Sequence, residues 1–211
     1  MSFLRLPLRP LRARVDLGLI FHYDLNGPVP DFRADIAVEM KEADPAEVEE
    51  AARLADPLLR EKFAARLADG MSCYVAKVDG RVIAYNWARY RSGEDEGDTI
   101  ILGPSDAYTT DAFTAPEFRG RKVHTQTLAF IMQTAKANGY RDIWTLVSAS
   151  RRDSWKTHGR LGWRRSGIVL RVRVRDLIRV RARSAFVVVA CVGSPRPLAT
   201  RHVRAEELAS E

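Results

Sequence analysis

A strand, a short basic loop with one glycine, a long helix and a second strand succeed one another between Ala107 and Val147. Ala107–Ala115 is strand-like and stops at Pro116. The stretch Arg121–Asn138 sets Val123, Leu128, Ile131, Met132 and Ala135 on one helical face. Gly139 follows as the residue after the C-cap, and Ile143–Val147 is a buried type of strand. A βαβ unit of this kind needs a sheet with a helix laid across it. Upstream, Ser72–Val78 and Arg81–Trp87 are two apolar runs joined by Asp79-Gly80, the signature of an antiparallel hairpin. A chain that carries both units is of the α+β (mixed α/β) class with one central sheet.

The remaining elements fit around that sheet. A strand is predicted at Ile36–Met40, and Asp44-Pro45 opens a helix with an acidic first turn. A second helix covers Pro57–Leu67 and stops at Asp69-Gly70. Ser92–Asp98 reads as a polar, acidic loop, and Thr99–Leu102 as a short strand. Asp153 or Ser154 caps a short helix that Gly162 ends, followed by strands at Trp163–Val174 and Ser184–Val192. Three parts result: an N-terminal extension over 1–31 that closes in a Pro-Gly linker, a domain over 32–176, and a C-terminal strand and tail over 177–211. The two end segments are free to extend the sheet, form a homodimer contact or cover a substrate.

Composition excludes several classes. Of 211 residues, 46% are hydrophobic and 29% charged, so the chain can bury a core and is not disordered throughout. Cys73 and Cys191 both lie in apolar runs and read as reduced core residues, too few for a disulfide framework. Four scattered histidines give no ligand spacing, so no metal is expected. The longest apolar run, Ala185–Val192, is far short of the roughly 20 residues of a spanning helix. Arginines and prolines interrupt the first residues, so no membrane association or secretory leader is expected and the protein is taken as cytoplasmic.

The net charge of +7 is uneven: residues 41–61 are acidic, whereas 151–183 hold twelve Arg or Lys against Asp153 and Asp176. A basic half suits an anionic ligand or partner. Nucleic acid is disfavoured, because no reader motif is present and aromatics do not interleave with the charge. Leu170–Arg175 alternates arginine with apolar residues. That pattern fits a half-exposed strand, and it also fits a dock for an acidic carrier protein.

The chemistry concentrates in Phe113-Thr-Ala-Pro-Glu-Phe-Arg-Gly-Arg-Lys-Val-His124. Backbone N–H groups at a helix start lack intrahelical partners and face outward with the positive end of the dipole. Such an end receives phosphate, Gly120 permits close approach, and Arg119, Arg121 and Lys122 add charge. An ordinary solvated loop is the competing reading. Neither a P-loop nor a dinucleotide fingerprint occurs.

In its order of residues the stretch resembles the acyl-CoA-binding motif of the GNAT superfamily of N-acyltransferases. Members typically read Val-x-Pro-x-x-Arg-Gly-x-Gly-Ile-Gly, a helix, a Gly, a strand, Asn-x-x-Ala/Ser, a Tyr and Lys-Leu-Gly-Phe. Pro116, Arg119, Gly120 and Val123 match the first part, Gly139 the helix end, and Ser154 with Arg160-Leu161-Gly162-Trp163 the last. The resemblance spans residues 34–175. It departs at Lys122 and His124, in place of small residues, at Arg151, where Asn is frequent, and at His158, in place of the Tyr.

The resemblance implies a single domain with a central, mostly antiparallel, splayed sheet flanked by helices. It implies acetyl-CoA or another acyl-CoA as co-substrate. The pantetheine arm pairs with the strand edge at Phe113, Thr114 and Ala115. The pyrophosphate sits on the amides of Arg119, Gly120, Arg121, Lys122, Val123, His124 and Thr125, with Arg151 and Ser154 nearby. An amine of a small molecule or sugar then attacks the thioester directly, a strand N–H polarising the carbonyl.

His158 is the candidate acid for the departing thiolate and Asp111 the candidate base, with Tyr108 facing the substrate from the same strand. Packing roles for His158 and Asp111 stay open beside these. Tyr85 and Trp87 fit either an acceptor cleft or the core. The altered glycines and missing Tyr keep a second function open: a changed GNAT fold that uses an acyl carrier protein or only binds.

Overall fold

The structure is a computed structural model, and it describes residues 12–95, 98–175 and 185–192. Ten strands and four helices follow in the order β1 (Arg12–Asp24), β2 (Glu39–Glu42), α1 (Pro45–Ala55), α2 (Arg60–Ala68), β3 (Ser72–Val78), β4 (Arg81–Arg89), β5 (Gly93–Asp95), β6 (Asp98–Ile100), β7 (Asp106–Thr114), α3 (Val123–Ala137), β8 (Asp142–Ser148), α4 (Arg152–Arg160), β9 (Arg164–Arg175) and β10 (Ala185–Val192). Eight strands form one sheet in the order β10-β9-β1-β8-β7-β4-β3-β2, and β5 pairs with β6 alone. Within the large sheet only β7 and β8 run parallel, as the crossover through α3 demands. The mixed, mostly antiparallel sheet expected from the sequence is present.

Local chemistry accounts for the flanking elements. Asp79 and Gly80 both adopt left-handed backbone angles, φ 48° and 76°, so β3 and β4 close through the turn type that matches their twist. The Asp44 carboxylate accepts from the N–H groups of Ala46 and Glu47, while Glu47 reaches back to the Asp44 N–H. This capping box starts α1, and Pro45 at the first position loses no bond. The buried face of α1, Val48, Ala51 and Ala52, packs with Phe63 of α2 against Val75, Tyr85 and Trp87. Phe63 meets both Tyr85 and Trp87 edge-on at 5.1 Å. On the other face of the sheet, Leu128, Ile131, Met132 and Ala135 of α3 cover Ala107, Ile143 and Val147. Each such large side chain contributes about 1.5–3 kcal/mol by leaving water.

Four expectations change. The N-terminal extension, in which no strand was predicted, supplies β1 from Arg12 onward: it lies inside the sheet, antiparallel to β8 on one side and β9 on the other. Gly18 of β1 makes room there, since a Cβ would stand 2.8 Å from Leu146 Cδ1. The Ser92–Asp98 loop contains β5. The helix ending at Arg160 is preceded by Arg151 without a side-chain cap, so neither Asp153 nor Ser154 caps it. Arg121 and Lys122 precede the helical turn and belong to the loop.

Glu47 ties α1 to the sheet. Its carboxylate accepts from Lys77 at 2.5 Å and pairs with Lys41 at 2.9 Å. Burial acts to raise its pKa, but the two lysines and the Asp44 N–H prevail and hold it down at about 2. A depressed folded pKa stabilises above the unfolded value of 4.5 and loses that stabilisation as pH falls toward 2. Glu47→Gln keeps the shape and one acceptor, and is expected to cost about 2 kcal/mol at pH 7. Chemical denaturation at pH 7 and pH 3 checks it, since the cost should shrink markedly at the lower pH.

Candidate functional site

Register creates the site. β7 pairs with β8 only from Asp106 to Thr109, opposite Asp142–Thr145. Both strands continue, β7 to Thr114 and β8 to Ser148, but no longer together. At the point of separation the β4–β7 ladder shifts register, and Asp111 stands as the extra residue with φ 47°. A bulge of this kind bends its strand. The sheet therefore splits between β7 and β8, while β1 keeps β8 in place from the far side.

A cleft of about 1060 Å³ occupies the split and runs up to α3 and α4. One wall is the free edge of β7. The Ala115 N–H donates to the Ile83 carbonyl at 2.9 Å, so it faces β4. The two-residue alternation of an antiparallel ladder then turns Ala112 and Thr114 toward the cleft. The Thr114 carbonyl confirms that direction by accepting from Arg119 Nε at 3.0 Å. Of the edge residues expected at 113–115, Thr114 faces the open side, while Ala115 belongs to the β4 ladder. Ala112 was not anticipated.

The second wall is the loop and the start of α3. Gly120 has φ 78° with nothing near its Cβ position, so backbone conformation alone selects glycine. Lys122 precedes α3 in the left-handed region, φ 62°, and no side chain caps the helix. The first intrahelical bond comes from Gln126 N–H to Lys122 O. The N–H groups of Val123, His124 and Thr125 thus lack intrahelical partners at the positive end of the helix, beside the cleft. Arg119 lies over the Phe113 ring at 5.5 Å. Lys122 turns elsewhere: its ammonium meets Asp35 at 2.7 Å, which offsets the charge expected to face an anion.

The third wall is α4, with Arg151, Ser154 and His158 on the cleft. His158 is buried, and its Nδ1 lies 2.7 Å from the Ser154 carbonyl. A carbonyl only accepts, so Nδ1 carries the proton and Nε2 the lone pair. The ring stacks on Phe21 at 5.2 Å and meets Trp163 edge-on at 5.0 Å. Burial pushes its pKa down to about 4. Half-buried His124, 6.4 Å away ring to ring, is likewise lowered to about 4 by burial and by His158. At neutral pH His158 is uncharged and its one N–H is taken. It can accept a proton but holds none to give as the expected acid.

The other two candidates lie differently. Asp111 accepts from Lys62 at 2.8 Å and Arg66 at 2.5 Å, with the Tyr85 hydroxyl at 3.5 Å. Burial works to raise its pKa, yet Lys62 and Arg66 outweigh that and hold it below the usual carboxylate range. It is an ionised, doubly paired group and a weak base. Arg66 also binds Asp95 through Nε and a second nitrogen at 3.0 and 2.8 Å, which joins β5 to β7. Lys62, Arg66 and Asp95 were not legible as site residues, since these partners are distant in the chain. Tyr108 is buried among Ile20, Ile100 and Trp144, not on the cleft. Tyr85 and Trp87 are core residues under α1 and α2.

Cys73 is buried, and burial pushes its thiol well above the ordinary range. The Cys191 side chain and those of the alternating arginines from Arg171 onward lie outside the described residues. Among the described residues no helix is long and apolar enough to cross a membrane.

The site is thus a mixed sheet split between two parallel strands, with an uncapped helix N-terminus beside the split. The acetyltransferase (GNAT) family model matches residues 35–163, more than half of the chain, and the chain belongs to that family. No curated protein matches it in sequence. Among solved structures, a GCN5-related N-acetyltransferase from Sphaerobacter thermophilus is 16% identical with a TM-score of 0.54, covering 77% of this chain and 52% of its own. A GCN5-related glucosamine N-acetyltransferase region of a fungal multi-domain GH3 β-N-acetylglucosaminidase is 18% identical, TM-score 0.56, covering 74% and 20%. An aminoglycoside N-acetyltransferase, AAC(6')-Iy, in complex with CoA is 21% identical, TM-score 0.50, covering 69% and 99%. The chain thus spans about half or less of the first two, and at these identities the likeness is one of fold.

Proposed function

We propose that this protein transfers an acetyl group from acetyl-CoA to a primary amine of a small molecule or amino sugar. The observation that carries the reading is the split between β7 and β8 beside the uncapped start of α3. The thioester arm lies in the split, pairing with the Ala112 and Thr114 edge. The pyrophosphate rests on the N–H groups of Val123, His124 and Thr125, with Arg119 and Arg151 adding charge. The amine nitrogen attacks the thioester carbon, the C–N bond forms and the C–S bond breaks. A β7-edge N–H stabilises the oxyanion in between. The proton that the amine loses ends on the departing sulfur, so that CoA leaves as the thiol, and His158 Nε2 only relays it, because burial holds that imidazole down at about 4. Asp111 holds the bulge and its neighbours Lys62 and Arg66, and acts by position. An aminoglycoside N-acetyltransferase and a GCN5-related glucosamine N-acetyltransferase region share the fold, which supports amino-sugar acceptors as the first to try.

The test is release of free CoA thiol from acetyl-CoA on mixing with amino sugars and simple primary amines. Transfer is expected with at least one of them. Its rate should rise with pH along the acceptor's own ionisation, because both cleft histidines stay neutral above about pH 5. Tight CoA binding without turnover of any amine would count against catalysis. Transfer from an acyl carrier protein but not from acetyl-CoA would reassign the donor.

A further inference from the structure

Several cations around the cleft are already answered by carboxylates: Lys62 and Arg66 by Asp111, and Lys122 by Asp35. Those of α4 are not. Arg152, Lys156 and Arg160 all line the cleft. Lys156 stands 3.9 Å from Asp153, a loose pair between two exposed groups. Among the described residues no carboxylate pairs with Arg152 or Arg160.

The three are spaced four residues apart and form one stripe along the helix. That stripe works against the helix that carries it. Like charges four residues apart repel each other. Arg152 is the first helical residue and sits at the positive end of the dipole, where a cation is disfavoured. Only Arg160, in the last turn, suits the dipole. Helix stability therefore does not explain the pattern, whereas an anion bound across it offsets the repulsion.

Place narrows the anion. The rings of His124, in the first turn of α3, and His158, between Lys156 and Arg160, lie 6.4 Å apart. The C-terminal half of the stripe thus stands beside the amide end of α3, on the same cleft. A diphosphate on those amides is met by the N–H groups and by Arg119. The stripe is left for a second anionic group of the same ligand, a ribose ring away. On CoA that group is the 3′-phosphate, a phosphomonoester of about −1.5 to −2 charge at pH 7.

We propose that the α4 stripe, through Lys156 and Arg160, binds the 3′-phosphate of the CoA adenosine. The protein thereby reads its donor as free CoA and not as a pantetheine arm on a carrier protein, which ends in a phosphodiester and has no such group. This rests on the thioester reading of the cleft and deepens it.

The experiment titrates CoA and 3′-dephospho-CoA into wild type and into the double variant Lys156→Gln/Arg160→Gln, at low and at physiological salt. Wild type should bind CoA about tenfold more tightly than dephospho-CoA, and the preference should shrink as salt rises. The double variant should bind dephospho-CoA within about threefold of wild type and show little preference. Without ligand it should melt no lower than wild type, since like charges along the stripe are removed. Equal affinity of wild type for the two nucleotides overturns the proposal, and that result needs no variant. A preference that survives in the double variant overturns it too, as does an equal loss of both ligands. Equal affinity for the nucleotides with stripe-dependent binding of an acyl carrier protein makes the stripe a protein dock instead. Wild-type protein that binds neither nucleotide overturns the thioester reading itself, and this assignment with it.

Discussion

Asp111→Leu should destabilise the protein by about 4 kcal/mol, and Asp111→Asn by about half as much. The carboxylate faces Lys62 and Arg66 at 2.8 and 2.5 Å, and the Arg66 side chain is only 5% exposed. Removing it takes from a buried guanidinium one of the carboxylates that face it, while Asp95 stays. The loss of compensation for a charge already out of water is what makes the cost large. Leucine adds a second penalty at φ 47°, a region that Asp and Asn tolerate better. Linkage gives an independent signature. The folded pKa of Asp111 lies below its ordinary 3.8, so its contribution is present above that value and lost as pH falls through the folded one. Urea unfolding at pH 7 and near pH 3 should show a large gap between wild type and Asp111→Leu that narrows in acid. A gap under about 1 kcal/mol at pH 7 would mean that solvent, not Arg66, sets the state of this carboxylate.

Much of the fold was legible wherever its cause was local. The Asp79-Gly80 turn and the helix start at Asp44-Pro45 act within four residues, and both were readable. The βαβ crossover was readable because the apolar face of α3 repeats at helical spacing. β1 was not, because its place depends on pairing with residues more than a hundred positions away. The loop ahead of α3 was visible, since an uncapped helix start after a glycine is a local feature. The bulge was not. It decides which β7 residues reach the cleft, so Tyr108, ahead of it, is packed against Trp144, and Asp111 points to α2.

Arg119→Ala should weaken CoA binding by about tenfold or more, the loss expected for one charge-assisted bond to phosphate. Arg119 is exposed at the loop and braces the β7 edge through the Thr114 carbonyl. Its removal takes away charge beside the pyrophosphate and frees that carbonyl at once. The fold itself should not suffer, because the guanidinium covers no core and the Gly120 turn does not depend on it. Wild-type affinity should also fall with rising salt, and less steeply in the variant.

Thermal unfolding with and without ligand decides whether the split sheet and the start of α3 form one acyl-CoA site. Acetyl-CoA at a hundredfold excess over its dissociation constant adds about 2.7 kcal/mol, or a rise of about 5–10 °C for a chain of this size. Wild type should show that rise with acetyl-CoA and a rise with CoA, and most of both should be absent in Arg119→Ala. No rise with either ligand, or an equal rise in the variant, would contradict it.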